Sequence, residues 1–172
     1  MLAESYNAFP ISGPIPPPPP SWTWEKLMQV ALDEADLASQ KGEVPVGALI
    51  VTIGGNIISI AHNLSTQTYN PCAHAEVLVI QKACASLSST RLNNCILVVS
   101  LEPCLMCISA IALAHINGLV FGAFDSQAGA VISNHDFRTL PLSYKNFWYL
   151  GGVLAIPSKQ ILQNFFKSIR HL

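Results

Sequence analysis

Two short runs constrain this chain more than any other feature: His74-Ala75-Glu76 and Pro103-Cys104-Leu105-Met106-Cys107. Together they offer one imidazole and two thiols, a donor set that suits zinc. A fold that uses them must bring two distant segments to one point. A structural zinc fills all four tetrahedral positions with Cys or His, whereas a zinc that performs chemistry keeps three protein ligands and leaves one position for water. Three ligands, His74, Cys104 and Cys107, beside one carboxylate, Glu76, therefore point to chemistry.

Each run leads into an apolar, Ala-rich stretch of helical pattern, Val77 to Ala85 and Ile108 to Ala114. The spacing predicts helices over 74–86 and 104–114, with the ligands at their starts. Cys104 and Cys107, three apart, share a helical face, and the partial positive charge of helix-end N–H groups favours thiolate there. His74 and Glu76 are two apart, a spacing that turns helical side chains away from each other. That separation suits different tasks, with the imidazole on the metal and the carboxylate facing the metal's water. Two rival readings stand beside this one. The three ligands could be ordinary core residues, which leaves the spacing unexplained. Alternatively Cys72, two residues before His74, closes the sphere as a fourth ligand and makes a structural Cys3His site. Cys84 and Cys95 read as core thiols.

H-x-E followed by P-C-x-x-C is the signature of the zinc nucleobase deaminases. From Glu43 to Arg170, about three quarters of the chain, the sequence resembles the bacterial tRNA-specific adenosine deaminases. The resemblance is carried by Glu43-Val44-Pro45-Val46-Gly47-Ala48, Asn63, Asn70-Pro71-Cys72-Ala73-His74-Ala75-Glu76, Ser100-Leu101-Glu102-Pro103-Cys104-Leu105-Met106-Cys107, Phe121-Gly122-Ala123 with Asp125 and Gly129, and Phe165-Phe166. It implies a three-layer α/β/α cytidine deaminase-like sandwich with a five-stranded mixed sheet. It also implies one Zn2+ per subunit on His74, Cys104 and Cys107, with Glu76 as the catalytic acid and base. Asn63, Ala75, Pro103 and Asp125 would contact substrate, with Asn63 donating and accepting at a purine edge. One of Phe165 and Phe166 would touch RNA. The implied reaction is wobble adenosine to inosine in a tRNA anticodon loop, carried out by a homodimer. A deaminase of a free base or nucleoside, and a non-catalytic zinc-bearing RNA-binding subunit, are the alternatives. The sequence departs from the family at Gln127, His115 and Gly118, where relatives commonly carry cations that neutralise phosphates.

Composition bears on partners and compartment. The chain has 172 residues, 51% apolar and only 11% charged, so much of its surface is weakly charged or covered by a second subunit. Residues 1–76 hold seven acids and two bases, and residues 77–172 three acids and seven bases. A nucleic-acid surface is therefore expected in the second half. Five cysteines, two of them committed to a metal, and no signal-peptide pattern point to the reducing cytoplasm. The uncharged stretch 103–124 is long enough to span a bilayer, but two cysteines, His115 and the turn former Asn117-Gly118 divide it, and no membrane span is expected.

In chain order, residues 1–21 form a proline-rich tail, with Pro16 to Pro20 consecutive, expected to be disordered or draped on the surface. Residues 22–172 form the deaminase domain. It opens with a helix from Trp24 to Lys41, N-capped by Thr23 and ended by Gly42. A hairpin follows, Val46 to Ile53 and Ile57 to Ala61. Strands are expected at Cys95–Leu101, Leu119–Ala123 and Phe147–Leu150, and a final helix at Ser158–Arg170.

Overall fold

The computed structural model describes residues 15–139 and 147–170. Its strands are β1 (Gly47–Thr52), β2 (Ile57–His62), β3 (Cys95–Leu101), β4 (Gly118–Ala123) and β5 (Trp148–Gly151), and its helices are α1 (Trp24–Gln40), α2 (Ala75–Leu87), α3 (Leu105–Leu113) and α4 (Ala155–Ile169). The sheet runs in the order β2-β1-β3-β4-β5. β1 is antiparallel to both of its neighbours, while β3, β4 and β5 are parallel. The expected five-stranded mixed sheet is present.

Side chains that alternate along the strands build two cores. Ala48, Ile50, Leu97, Val99, Leu119 and Phe121 pack with α2 and α3. Leu49, Val51, Ile96, Val98, Val120 and Leu150 pack with α1 and, through Ile161, α4. Because both faces are covered, the centres of β1, β3 and β4, Ala48–Val51, Ile96–Val99 and Leu119–Phe121, read in sequence as apolar runs without alternation. α1 approaches β1 closely: a Cβ built on Gly47 would lie 2.1 Å from Ala31 O and 2.6 Å from Ala35 N. Only glycine permits that distance.

α1 begins where its cap places it, with Thr23 Oγ1 accepting from Lys26 N–H at 3.2 Å. α4 begins three residues earlier than the sequence reading has it, because Pro157 sits inside the first turn. There its missing N–H costs no intrahelical bond. The turn after α3 is made by His115, in left-handed conformation at φ 56°, while Gly118 belongs to β4. Residues 1–14 of the proline tail lie outside the described residues. From Ile15 the chain lies on the domain: Pro19 is buried, Pro16 to Pro20 line a shallow groove with Ile53, Ile96 and Trp148, and Trp22 Nε1 donates to Gly55 O at 2.8 Å. Among the described residues no helix is long and apolar enough to cross a membrane.

Gly47→Ala is expected to cost about 3 kcal/mol, because the added methyl meets backbone atoms and not a movable side chain. In a chain of this size that corresponds to a fall of roughly 6–12 °C in the thermal midpoint. An unchanged midpoint in a thermal melt would show that α1 is free to move off β1.

Candidate metal centre and its cavity

α2 and α3 begin at the same place. His74 is the residue before the first turn of α2, extended at φ −75° and ψ 151°, and Cys104 holds the same position on α3 at φ −75° and ψ 174°. Such residues ordinarily turn their side chains back onto the helix's own N–H groups. Neither does so here. Both face each other, with Cys107 joining from the first turn of α3. Cys104 Sγ lies 3.8 Å from His74 Nδ1, Cys107 Sγ lies 3.5 Å from it, and the three donor atoms all lie within 4.8 Å of one another. A tetrahedral ion with Zn–S of about 2.3 Å and Zn–N of about 2.0 Å separates nitrogen from sulfur by about 3.5 Å. The donor set and its spacing therefore fit zinc. Cys72 is exposed and does not belong to this cluster.

The sulfurs are electrostatically unequal when no cation is present. Cys104 is lowered to about 4, chiefly by the hydrogen bond with Cys107, while that bond and burial push Cys107 up. His74 is raised, first by its hydrogen bond with Cys104. Glu76 is 4% exposed, and burial pushes it up to about 7. An acid and base with a pKa near the operating pH transfers protons most effectively. Glu76 and His74 line the same cavity of about 330 Å³, together with Cys104, Asn63 and Asp125. The two residues reach it by a different route from the one their spacing implies. His74 stands outside the helix on extended backbone, so the helical-face argument for the pair does not hold.

The other expected site residues separate into two groups. Asn63 is buried, and its Oδ1 accepts from Ala75 N–H at 2.8 Å, which caps α2 in place of His74. That oxygen keeps a second lone pair, so the amide can both donate and accept toward a ligand. Asp125 lines the cavity, and its Oδ1 also closes a turn by accepting from Gln127 N–H at 2.9 Å and Ala128 N–H at 3.2 Å. Ala75 and Pro103 are buried and do not line the cavity. The Ala75 N–H is engaged by Asn63, and the Pro103 carbonyl accepts from Ala130 N–H at 2.8 Å. The sequence reading missed two buried carboxylates in the cavity wall, Glu43 and Glu102. The available signal was an acid set among apolar neighbours, Val44-Pro45-Val46 in one case and Leu101 with Pro103 in the other. A groove of about 660 Å³ adjoins the cavity and shares Val44, Leu101 and Asp125 with it. Its far wall is α4, with Lys159, Phe166, Lys167 and Arg170.

Residues 22–123 match the family model described as the cytidine and deoxycytidylate deaminase zinc-binding region. The chain is 41% identical over 148 residues to a protein of Aquifex aeolicus named tRNA-specific adenosine deaminase, covering 86% of this chain and 96% of that one. It is 49% identical over 146 residues to a protein of the same name from Bacillus subtilis, covering 85% and 90%. A solved structure from biochemical and structural studies of A-to-I editing by tRNA:A34 deaminases at the wobble position of transfer RNA superposes with a TM-score of 0.76 at 38% identity, covering 80% of this chain and 99% of that one.

In the metal-free protein Glu76 binds its proton more tightly when folded, at about 7, than at its ordinary value of 4.5. The folded state then holds more protons between those values, so stability falls as pH rises through that window, by on the order of 3 kcal/mol in total. Glu76→Gln keeps the volume and cannot ionise. Denaturant melts of the metal-free proteins should show the variant more stable by that order at pH 8 and equal to wild type at pH 4. Equality at pH 8 would contradict a buried carboxylate.

Proposed function

This chain belongs to the tRNA-specific adenosine deaminases, within the cytidine and deoxycytidylate deaminase family, and we propose that Glu76 carries the protons of its reaction beside a zinc ion held by His74, Cys104 and Cys107. The enzyme is a zinc-dependent hydrolase that converts wobble adenosine of a tRNA to inosine. The observation that carries the site assignment is the meeting of three zinc-type donors with a buried, proton-holding carboxylate in one cavity.

Bound zinc supplies a Lewis acid that lowers the pKa of a coordinated water from about 15.7 to about 7. The remaining work falls to the chain. Glu76 takes a proton from the attacking water and delivers it to N1 of adenine, which makes C6 electrophilic. The water oxygen bonds to C6, which becomes tetrahedral. Glu76, now deprotonated again, takes the proton of the new C6 hydroxyl and passes it to the 6-amino group; the C6=O bond forms as the C6–N bond breaks, and ammonia leaves. Adenosine and water become inosine and ammonia. Asn63 orients the base through its side-chain amide, whose NH2 donates and whose Oδ1, already accepting from Ala75 N–H, keeps a second lone pair for the base.

An adenine stacked in an anticodon loop must be splayed out to reach such a cavity. The groove beside it offers cations for the flanking phosphates, Lys159, Lys167 and Arg170. Of the two phenylalanines, Phe165 is buried at 8% and Phe166 exposed at 41%, so an RNA contact falls to Phe166. Gln127 lines the same groove where relatives commonly carry a cation. Fewer neutralised phosphates give a shallower salt dependence of binding. Residues 22–172 constitute the deaminase domain in this reading. The working unit is a homodimer, supported by exposed Leu87, Leu105 and Leu113 on α2 and α3. The compartment is the cytoplasm in this reading, supported by five cysteines of which two serve the metal and none is joined in a disulfide.

The test is incubation of the zinc-loaded protein with an anticodon stem-loop bearing adenosine at the wobble position, with inosine as readout. Inosine should form, and Glu76→Ala should keep its zinc and lose at least about 10²–10⁴ in rate. Ammonia release from free bases or nucleosides with no inosine in the stem-loop would assign the enzyme to small molecules instead.

A further inference from the structure

Two carboxylates in the cavity wall take no part in the chemistry above. Glu43 is 1% exposed and Glu102 2%, and among the described residues neither forms a salt bridge. A buried carboxylate without a cation is tolerable only if its lone pairs are filled by hydrogen bonds. For both residues the donors are backbone N–H groups of loops, joined at Glu102 by one serine hydroxyl. Glu43 Oε1 accepts from Gln67 N–H at 2.7 Å and Oε2 from Thr66 N–H at 3.0 Å. Glu102 Oε1 accepts from the N–H groups of Val131, Ile132 and Ser133 at 3.1, 2.8 and 2.9 Å, and Oε2 from Asp125 N–H at 3.0 Å and from the Ser133 hydroxyl.

The two loops tied in this way form much of the cavity. One contributes Asn63, Ser65, Thr66 and Pro71, and the other Asp125 and Ala128. The second loop comes so close to Glu102 that a Cβ on Gly129 would lie 2.6 Å from its Oε2. It is also joined to the ligand run, since Cys104 forms a bridge with Gly129.

We propose that Glu43 and Glu102 are positioning residues, each fixing one loop wall of the cavity at the spacing a flipped adenosine requires, with Glu102 also setting Asp125 where cavity and groove meet. The inference rests on the RNA-deaminase reading. The metal donors and Glu76 stand at the starts of α2 and α3, whose apolar sides are held by the core beneath, while the loops add only the Asn63 cap and the Cys104–Gly129 bridge. Loosening the walls therefore weakens substrate binding more than it slows chemistry. An amide in place of either carboxylate turns an NH2 toward N–H donors and leaves at least one of them unpaired.

The experiment compares full-length, zinc-loaded wild type with Glu102→Gln and Glu43→Gln, measuring zinc content, kcat and KM on the stem-loop, and amide hydrogen exchange. Zinc should stay at one per chain and kcat within about threefold, while KM rises at least about tenfold for Glu102→Gln and about three- to tenfold for Glu43→Gln. Exchange should quicken about tenfold or more at Asp125 and 131–133 in the first variant and at Thr66 and Gln67 in the second, and not in α2 or α3. Unchanged KM in a folded variant overturns the proposal, as does a loss of kcat and zinc with KM unaltered. Wild type that makes no inosine sinks the deaminase reading instead, and the exchange comparison then decides alone whether the carboxylates hold the loops. Should Glu102→Gln not fold, Ser133→Ala removes a single donor and should raise KM about two- to fivefold with kcat kept; no change overturns the proposal.

Discussion

Two helix starts and one cation compete for the same side chains at His74 and Cys104, and much of the surrounding structure follows from how that competition is settled. A residue at the head of a helix normally satisfies the helix's own N–H groups. Here both heads give their side chains to a common point. The helices must then be satisfied and fixed by other means. Asn63 caps α2, the bridge from Cys104 to Gly129 ties down the ligand run, and the covered sheet beneath holds both axes.

Charge is distributed in keeping with the substrate. The cavity is lined by Glu43, Glu76, Glu102 and Asp125, and it suits an uncharged base better than a phosphate. The cations of α4 stand outside it along the groove, where a polyanionic backbone can run. The buried state of Glu76, unfavourable for the fold once it ionises, is what brings its proton affinity near neutrality.

Much of this was legible in the sequence because it rests on local signals. The zinc spacing, the Thr23 cap and the strand positions of β3 and β4 are written in adjacent residues. The order of the sheet is not, since β1 sits between β2 and β3 through pairings that no single segment encodes. Glu43 and Glu102 escaped for the same reason: their partners are backbone N–H groups of distant loops, and one N–H looks like any other in sequence. The expected start of the last helix at Ser158 falls three residues late, since the first turn accepts Pro157 and α4 begins at Ala155.

The hydrolytic site depends on a metal bound by two sulfurs and one nitrogen, with room left for water. X-ray absorption at the zinc edge of the loaded protein measures this directly. Two sulfurs at about 2.3 Å and two nitrogen or oxygen neighbours at about 2.0–2.2 Å are expected. A third sulfur would place Cys72 on the metal, close the position that water needs, and contradict the hydrolytic site.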